Sequence, residues 1–383
     1  MKKILYLSNL RLPTEKAYGI QIAKMCEAFS LIPETELELA YPYRKNPITT
    51  DFFEYYSVKK NFRVKKLPAL DMYTPGSSGK ITVGLKSFIS AVILFFYALS
   101  KKADVIYSRD ELIIFFLSFF KKNLVFEAHR FSIKRKIFYN RFKKAEIKII
   151  AISEAIKKDL VNMGFESKNI LVAHDGVDIN LFDIDIIKEE ARAKTNLPKN
   201  QEIVMYTGHL FEWKGAGTLL EVARMSKIKG QRSDFLFVFV GGTEYDVKQF
   251  RKKAEDLDNV LILGYKPHKE IPVFLKAADV LVLPNSASEK ISSYTSPLKL
   301  FEYMASGRPI VASELLSIKE ILNSENSVLV GSDDPESLVG GISKVIENSS
   351  FGEMISQKAK EDVKNYTWQK RAERIVAYLG FSL

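Results

Sequence analysis

Apolar residues along this chain come in short runs, each closed by glycine, serine or proline and followed by a stretch with helical spacing. Residues 3–7 predict a first strand, 8–18 a loop, and 19–30 a helix opened by Gly19, with Ile22, Cys26 and Phe29 on one face. Strands are expected again at 37–40, 105–108, 124–127, 147–152 and 170–173. Helices are expected at 88–100, 111–120, 133–144 and after Ser153, a hydroxyl cap with Glu154 just inside. Residues 41–80 read as irregular and polar, with a flexible loop at 75–79. The charged stretch 183–200 reads as an interdomain hinge. The pattern then restarts. Strands at 203–206, 235–240, 260–263 and 280–283 each end in glycine or proline, and helices follow, the last at 369–379. This order predicts an α/β chain with two parallel sheets covered by helices on both faces.

Residues 296–313 stand out within this pattern. Ser296 and Pro297 read as a hydroxyl cap and a first-turn proline, and Leu298, Phe301, Met304 and Ala305 share one helical face. Gly307 and Pro309 end the helix before a short strand at 309–312. The first N–H groups of such a helix, at Leu298 and Lys299, attract anions. A lysine in the first turn is unfavourable there unless an anion is present, so Lys299, with Glu302 one turn further on, reads either as the mark of a phosphate site or as scattered charge on an ordinary surface helix. Ligands of open α/β sheets bind at the carboxyl ends of the strands. In the second half that edge gathers Lys214, Gly241, Tyr265, Asn285 and the 296–313 segment. In the first half it offers His129, beside Arg109 and Glu127, but no three-glycine dinucleotide fingerprint.

Composition narrows the class. The chain has 383 residues, 46% hydrophobic and 27% charged, enough for two globular domains. Its single cysteine, Cys26, rules out a disulfide framework, and its four histidines are too scattered to suggest a metal site. No secretory signal is expected in residues 1–10, and the longest apolar run, 88–99, falls short of the ~20 residues that span a bilayer. The net charge of +11 is uneven: residues 1–182 hold 30 basic and 18 acidic residues, residues 183–383 hold 27 and 28. An anionic partner of the first half is implied. The stretch 133–144 reads as a basic amphipathic helix carrying Lys134, Arg135 and Lys136, suited either to an anionic membrane surface or an acceptor, with Arg109 and Arg130 nearby in sequence, or to a solvated face over a buried stripe.

Four segments, taken together, resemble the family 4 retaining glycosyltransferases of the GT-B fold. They are Gly208-His209-Leu210-Phe211-Glu212-Trp213-Lys214-Gly215; Val240-Gly241-Gly242 with Asp246; Gly264-Tyr265 through His268 with Ile271-Pro272 and Ala278-Asp279; and Ser296 through Ala305. In the first half, Gly19, His129 and Ser153 match the family's glycine loop, active-site histidine and capped helix. The resemblance implies two Rossmann-like domains facing each other across a cleft. Residues 1–182, joined by the last helix at about 367–383, would bind the acceptor, and 200–366 the nucleotide-sugar, of UDP or GDP. It further implies that Glu302 binds the ribose, while Lys214 and the N–H groups of Leu298 and Lys299 hold the diphosphate, with Gly19 and His209 contributing. Gly241, Tyr265, Lys266 and Pro267 would line the nucleoside pocket, Tyr294, Ser296 and Pro297 the donor sugar, and His129 the reaction centre. Catalysis would rest on His129, Lys214 and Glu302.

The implied reaction is sugar transfer with retention and without a metal or other cofactor. A fixed donor to the departing charge is worth roughly 2.7–4 kcal/mol. The acceptor would be a lipid-linked or phosphate-bearing glycan precursor, with the protein cytoplasmic and peripheral on the inner face of the membrane. The family often has a glutamate where Tyr294 stands and an arginine where His209 stands, which leaves the sugar and part of the diphosphate's neutralisation open. A nucleotide-sugar epimerase on the same architecture is the alternative within enzymes. A nucleic-acid-binding protein is disfavoured, since neither a recognition motif nor an aromatic platform is present.

Overall fold

The computed structural model describes residues 1–69, 79–228, 235–288 and 290–381. The chain forms two compact units, one of Met1–His174 with Trp368–Leu383 and one of Asp175–Thr367. The first holds β1 (Lys2–Leu7), β2 (Thr35–Pro42), β3 (Arg63–Leu67), β4 (Val105–Ser108), β5 (Leu124–Ala128), β6 (Lys148–Ala151) and β7 (Ile170–Val172). They lie in the order β3-β2-β1-β4-β5-β6-β7. The second holds β8 (Glu202–Thr207), β9 (Phe235–Val240), β10 (Val260–Gly264), β11 (Val280–Leu283), β12 (Ile310–Ser313) and β13 (Val328–Val330), ordered β10-β9-β8-β11-β12-β13. All pairings in both sheets are parallel. Each order reverses direction once, beside β1 and beside β8, which is the Rossmann arrangement and places a crevice at the carboxyl edge.

The apolar runs became strands because parallel sheets are covered on both faces. Every residue of β4, β5, β11 and β12 is buried. In the second unit the two faces support separate cores. One is built around Met205, Leu281, Phe301 and Met304, the other around Tyr206, Phe237, Phe239 and Val282.

Four stretches depart from the sequence expectation. Residues 41–80 are not simply irregular: they contain the helix Phe52–Tyr56 and β3. β3 is an edge strand whose exposed Arg63, Lys65 and Lys66 hide the strand pattern and discourage pairing with another chain. The helix expected from residue 88 runs over Gly79–Leu99. The hinge at 183–200 contains the helix Lys188–Thr195, which packs into the second unit. Its Arg192 is buried, donating from Nε to Ala277 O at 3.0 Å and from Nη1 to Lys199 O at 2.7 Å. Asp279 receives both Arg192 and Lys188. Finally, 133–144 divides into a 3-10 turn, Ile133–Arg135, and the helix Lys136–Lys144. Residues 75–78 of the expected flexible loop lie outside the described residues.

Candidate active site

In the second unit the loops that leave β8 and β11 flank the crevice. A Cβ on Gly215 would lie 1.6 Å from Pro284 O, and its φ of +72° is left-handed, so only glycine permits this approach. Gly241 is equally constrained, with a φ of +121° and Gly208 O at 2.4 Å from a built Cβ. Its role here is to bring two loop backbones together. The helix Leu298–Ser306 begins at this edge. Pro297, not Ser296, is its capping residue, and no side chain caps it, so its first N–H groups are not claimed by a side-chain cap. Ser296 does something else: its hydroxyl accepts the backbone N–H of Asp175 at 3.0 Å. Tyr303 ties the helix to β8 by accepting Thr207 N–H at 2.8 Å.

Two lysines meet at this helix start. Lys299 is buried, with Nζ 3.8 Å above the Tyr206 ring and without a hydrogen-bond partner. Burial first, and then the charge of Lys214, push its pKa well below the lysine range, against the pull of Glu302. Burial also draws Lys214 down to about 8, with its ammonium 4.0 Å over the Trp213 ring. Asn285, fully buried after β11, has neither amide atom hydrogen-bonded. Buried polar groups left this way cost about 1–3 kcal/mol each, so the cluster is built at the expense of stability. Glu302, also buried, meets His268 Nε2 at 2.8 Å. His268 belongs to a segment that the sequence singled out, but its pairing with Glu302 was not anticipated.

Around this centre, His209 stacks on Phe211 at 4.9 Å between centroids and receives the Tyr206 hydroxyl at its backbone oxygen. Tyr265 is exposed after β10, Lys266 reaches over the Phe274 ring, and Pro267 opens the 3-10 turn His268–Glu270. Tyr294 is buried. The structure thus brings Lys214, Leu298, Lys299, Glu302 and Gly241 to one edge of one sheet.

The first unit has its own cluster at the carboxyl end of β5. Glu127 is fully buried and accepts from four side chains. Gln21 Nε2 at 2.6 Å, His129 Nε2 at 2.6 Å and Arg371 Nη2 at 3.0 Å meet Oε1, and the Tyr107 hydroxyl meets Oε2. Burial alone would raise the Glu127 pKa, but Arg371 and then His129 hold it well below the carboxylate range. Burial chiefly, then Arg109, draw His129 down to about 4, so its ring is neutral at pH 7. Gln21, Tyr107 and Arg371 were missed in the sequence. Arg371 alone left a trace, as a charge at the buried spacing Trp368, Arg371, Ala372, Ile375 of the last helix.

Two expected roles change. Gly19 does not open its helix, which starts at Ala17; it is required because a Cβ there would lie 2.2 Å from the Tyr56 hydroxyl. Arg109 is not a surface cation: its Nη1 donates to Gln21 Oε1 at 2.8 Å. Arg130, Lys134 and Lys136 are exposed, and Arg135 pairs with Glu111 at 3.1 Å. These basic residues share the unit with exposed Phe96, Phe119, Phe120 and Ile137, the last 70% exposed. Arg141 lies 4.1 Å above Phe119. Among the described residues no helix is long and apolar enough to cross a membrane, and no group of three potential metal-ligating side chains occurs.

Residues 187–362 match the family described as glycosyl transferases group 1. The chain is 27% identical over 273 residues to the uncharacterized glycosyltransferase MJ1069 of Methanocaldococcus jannaschii, covering 66% of this chain and 67% of that one. It is 27% identical over 174 residues to the amylovoran biosynthesis glycosyltransferase AmsK of Erwinia amylovora, covering 45% and 41%. Among solved structures, Anabaena Alr3699/HepE in complex with UDP and glucose superposes over 100% of both chains with a TM-score of 0.75 at 18% identity. Residues 187–362 therefore resemble the group 1 glycosyltransferases, and the chain has the GT-B fold.

Proposed function

We propose that this protein is a retaining, metal-independent glycosyltransferase that takes a sugar from a nucleoside diphosphate sugar, of UDP or GDP. The observation that carries this reading is the pair Lys214 and Lys299. Both cations stand where a helix presents uncapped N–H groups, and burial works against the charge of each. A diphosphate supplies what the cluster lacks. Breaking the anomeric C–O bond leaves negative charge on the diphosphate, which the lysines and the N–H groups of Leu298 and Lys299 stabilise without reorganising. Glu302, oriented by His268, would accept the ribose hydroxyls. Gly241 and Tyr265 to Pro267 would line the base, and Tyr294 would face the sugar. His129, as a neutral imidazole, would contact the reacting sugar. Retention follows if the acceptor attacks from the face the diphosphate leaves, the acceptor proton passing to the departing phosphate oxygen. A carboxylate nucleophile is not needed in that scheme.

The acceptor we propose is a glycan precursor, lipid-linked or phosphate-bearing, met at an anionic membrane surface on its cytoplasmic side. Support comes from the exposed aromatic residues Phe96, Phe119 and Phe120, which share their unit with exposed Lys134 and Lys136, and from the naming of AmsK for amylovoran biosynthesis. The decisive experiment is a thermal-shift screen of UDP, GDP and ADP against the full chain and its Glu302→Ala variant. One diphosphate should raise the midpoint of the unaltered chain and do so much less for the variant. If none does, the reading fails.

A further inference from the structure

The last helix, Trp368–Tyr378, inserts a cation into the interior of the first unit. Arg371 is buried and spans three acceptors: Nε donates to His174 O at 2.9 Å and to Ala173 O at 3.3 Å, and Nη2 to Glu127 Oε1 at 3.0 Å. A carboxylate offers about four acceptor positions and no proton of its own when ionised. Gln21, His129 and Arg371 converge on Oε1, and Tyr107 meets Oε2. The orientation of Gln21 is itself fixed, because Arg109 donates to its oxygen and so turns its NH2 group toward Glu127. His129 therefore has to meet Glu127 as a donor.

We infer that Arg371 is a positioning residue, which acts through the Glu127 carboxylate to hold His129 as the Nε2–H tautomer and leaves Nδ1 free to accept a hydrogen bond from a hydroxyl of the sugar substrate. The charges around the ring are Glu127 on its own strand, Arg109 after β4 and Arg371 on the last helix; Tyr6, Tyr107 and Cys26 complete the titratable neighbours of Glu127. Two arginines against one carboxylate disfavour a second proton on the imidazole. With Arg371 gone, the buried carboxylate would be left with less compensating charge and would draw that proton onto His129. The neutral acceptor would become a cation with no lone pair to offer. The assignment deepens the glycosyltransferase reading in giving His129 a substrate contact, but the state of the ring can be measured with no substrate present.

The test is a pH titration by NMR of the full chain labelled at histidine Cε1 and both ring nitrogens. Four histidines keep the spectrum simple, and the His129→Asn variant assigns the signal. In the unaltered protein the His129 signal should show the Nε2–H tautomer and stay flat between pH 5.5 and 8, about one unit and more above its depressed pKa. Arg371→Met should bring a titration into that window, and Arg371→Lys should return at least half of the displacement. A mid-range titration or an Nδ1–H tautomer in the unaltered protein overturns the inference, as does a flat Arg371→Met signal or a lysine variant no different from methionine. If Arg371→Met fails to fold, Glu127→Gln replaces it: loss of the single tautomer is expected, and an unchanged ring refutes the assignment. Failure of nucleotides to bind would undo the proposed function and leave this result standing.

Discussion

Lys214 offers a quantitative test of the diphosphate site through pH. Burial draws its pKa to about 8, so the free protein loses this charge over a range where the nucleotide does not change. A phosphate's second ionisation lies near pH 6, so UDP or GDP is essentially fully charged from pH 7 upward. At pH 7 about nine-tenths of the protein carries the ammonium, at pH 9 about one-tenth, by the Henderson relation with that pKa. If binding requires the charged form, affinity falls about tenfold between these values, or about 1.4 kcal/mol. The unliganded fold should respond with the opposite sign. A lysine whose folded pKa is below its unfolded value disfavours the folded state at low pH, and this penalty is relieved as pH rises from about 8 toward the unfolded value. Calorimetric titration at pH 7, 8 and 9 measures the first effect, and urea unfolding without nucleotide measures the second. Lys214→Met should bind weakly at pH 7 and lose most of the slope. Equal affinities at pH 7 and 9, or an undiminished slope in the variant, would refute the assignment of Lys214 to the diphosphate.

Three further outcomes are expected. Glu302→Ala should weaken nucleoside diphosphate binding about 10- to 150-fold, the worth of charged hydrogen bonds of about 1.5–3 kcal/mol; a change under twofold by calorimetry would remove Glu302 from the ribose. Gly215→Ala should destabilise the chain by about 2 kcal/mol or more, combining left-handed strain with the Pro284 clash, and an unchanged urea midpoint would contradict the loop contact. Sedimentation with phosphatidylglycerol vesicles should show salt-sensitive binding that weakens roughly 30-fold or more in Lys134→Glu/Lys136→Glu, at about 1 kcal/mol per lysine lost; equal binding to neutral vesicles, or none, would end the membrane proposal.

Strands such as β4 and β11 were legible because each is an apolar run buried on two faces, whereas the three-residue β13 was not expected. β3 was not, because an edge strand tolerates Arg63, Lys65 and Lys66, and nor was the helix Lys188–Thr195, where one buried arginine replaces an apolar stripe. The uncapped helix start with its buried Lys299, where we propose the diphosphate binds, could be anticipated because capping and the helix dipole act over neighbouring residues. The capping position itself was misjudged: Ser296 turned toward Asp175, a contact 121 residues away. Distance along the chain also hid the Glu127 cluster, whose partners lie 106 and 244 residues from it. Such pairings exist only once a sheet has brought its strand ends together.

The route of the backbone has one consequence for synthesis. It leaves the first unit at His174 and re-enters it at Trp368, and the two flanks of the intervening portion pair as Val177 with Thr367. A ribosome thus delivers Gln21, Tyr107 and Glu127 early and reaches Arg371 only 244 residues after Glu127, about 12–50 s later at ordinary elongation rates of about 5–20 residues per second. During that interval the nascent first unit holds a buried acid without its cation. It can finish folding only after the second unit has been made, which reverses the usual N-to-C order in which domains are completed.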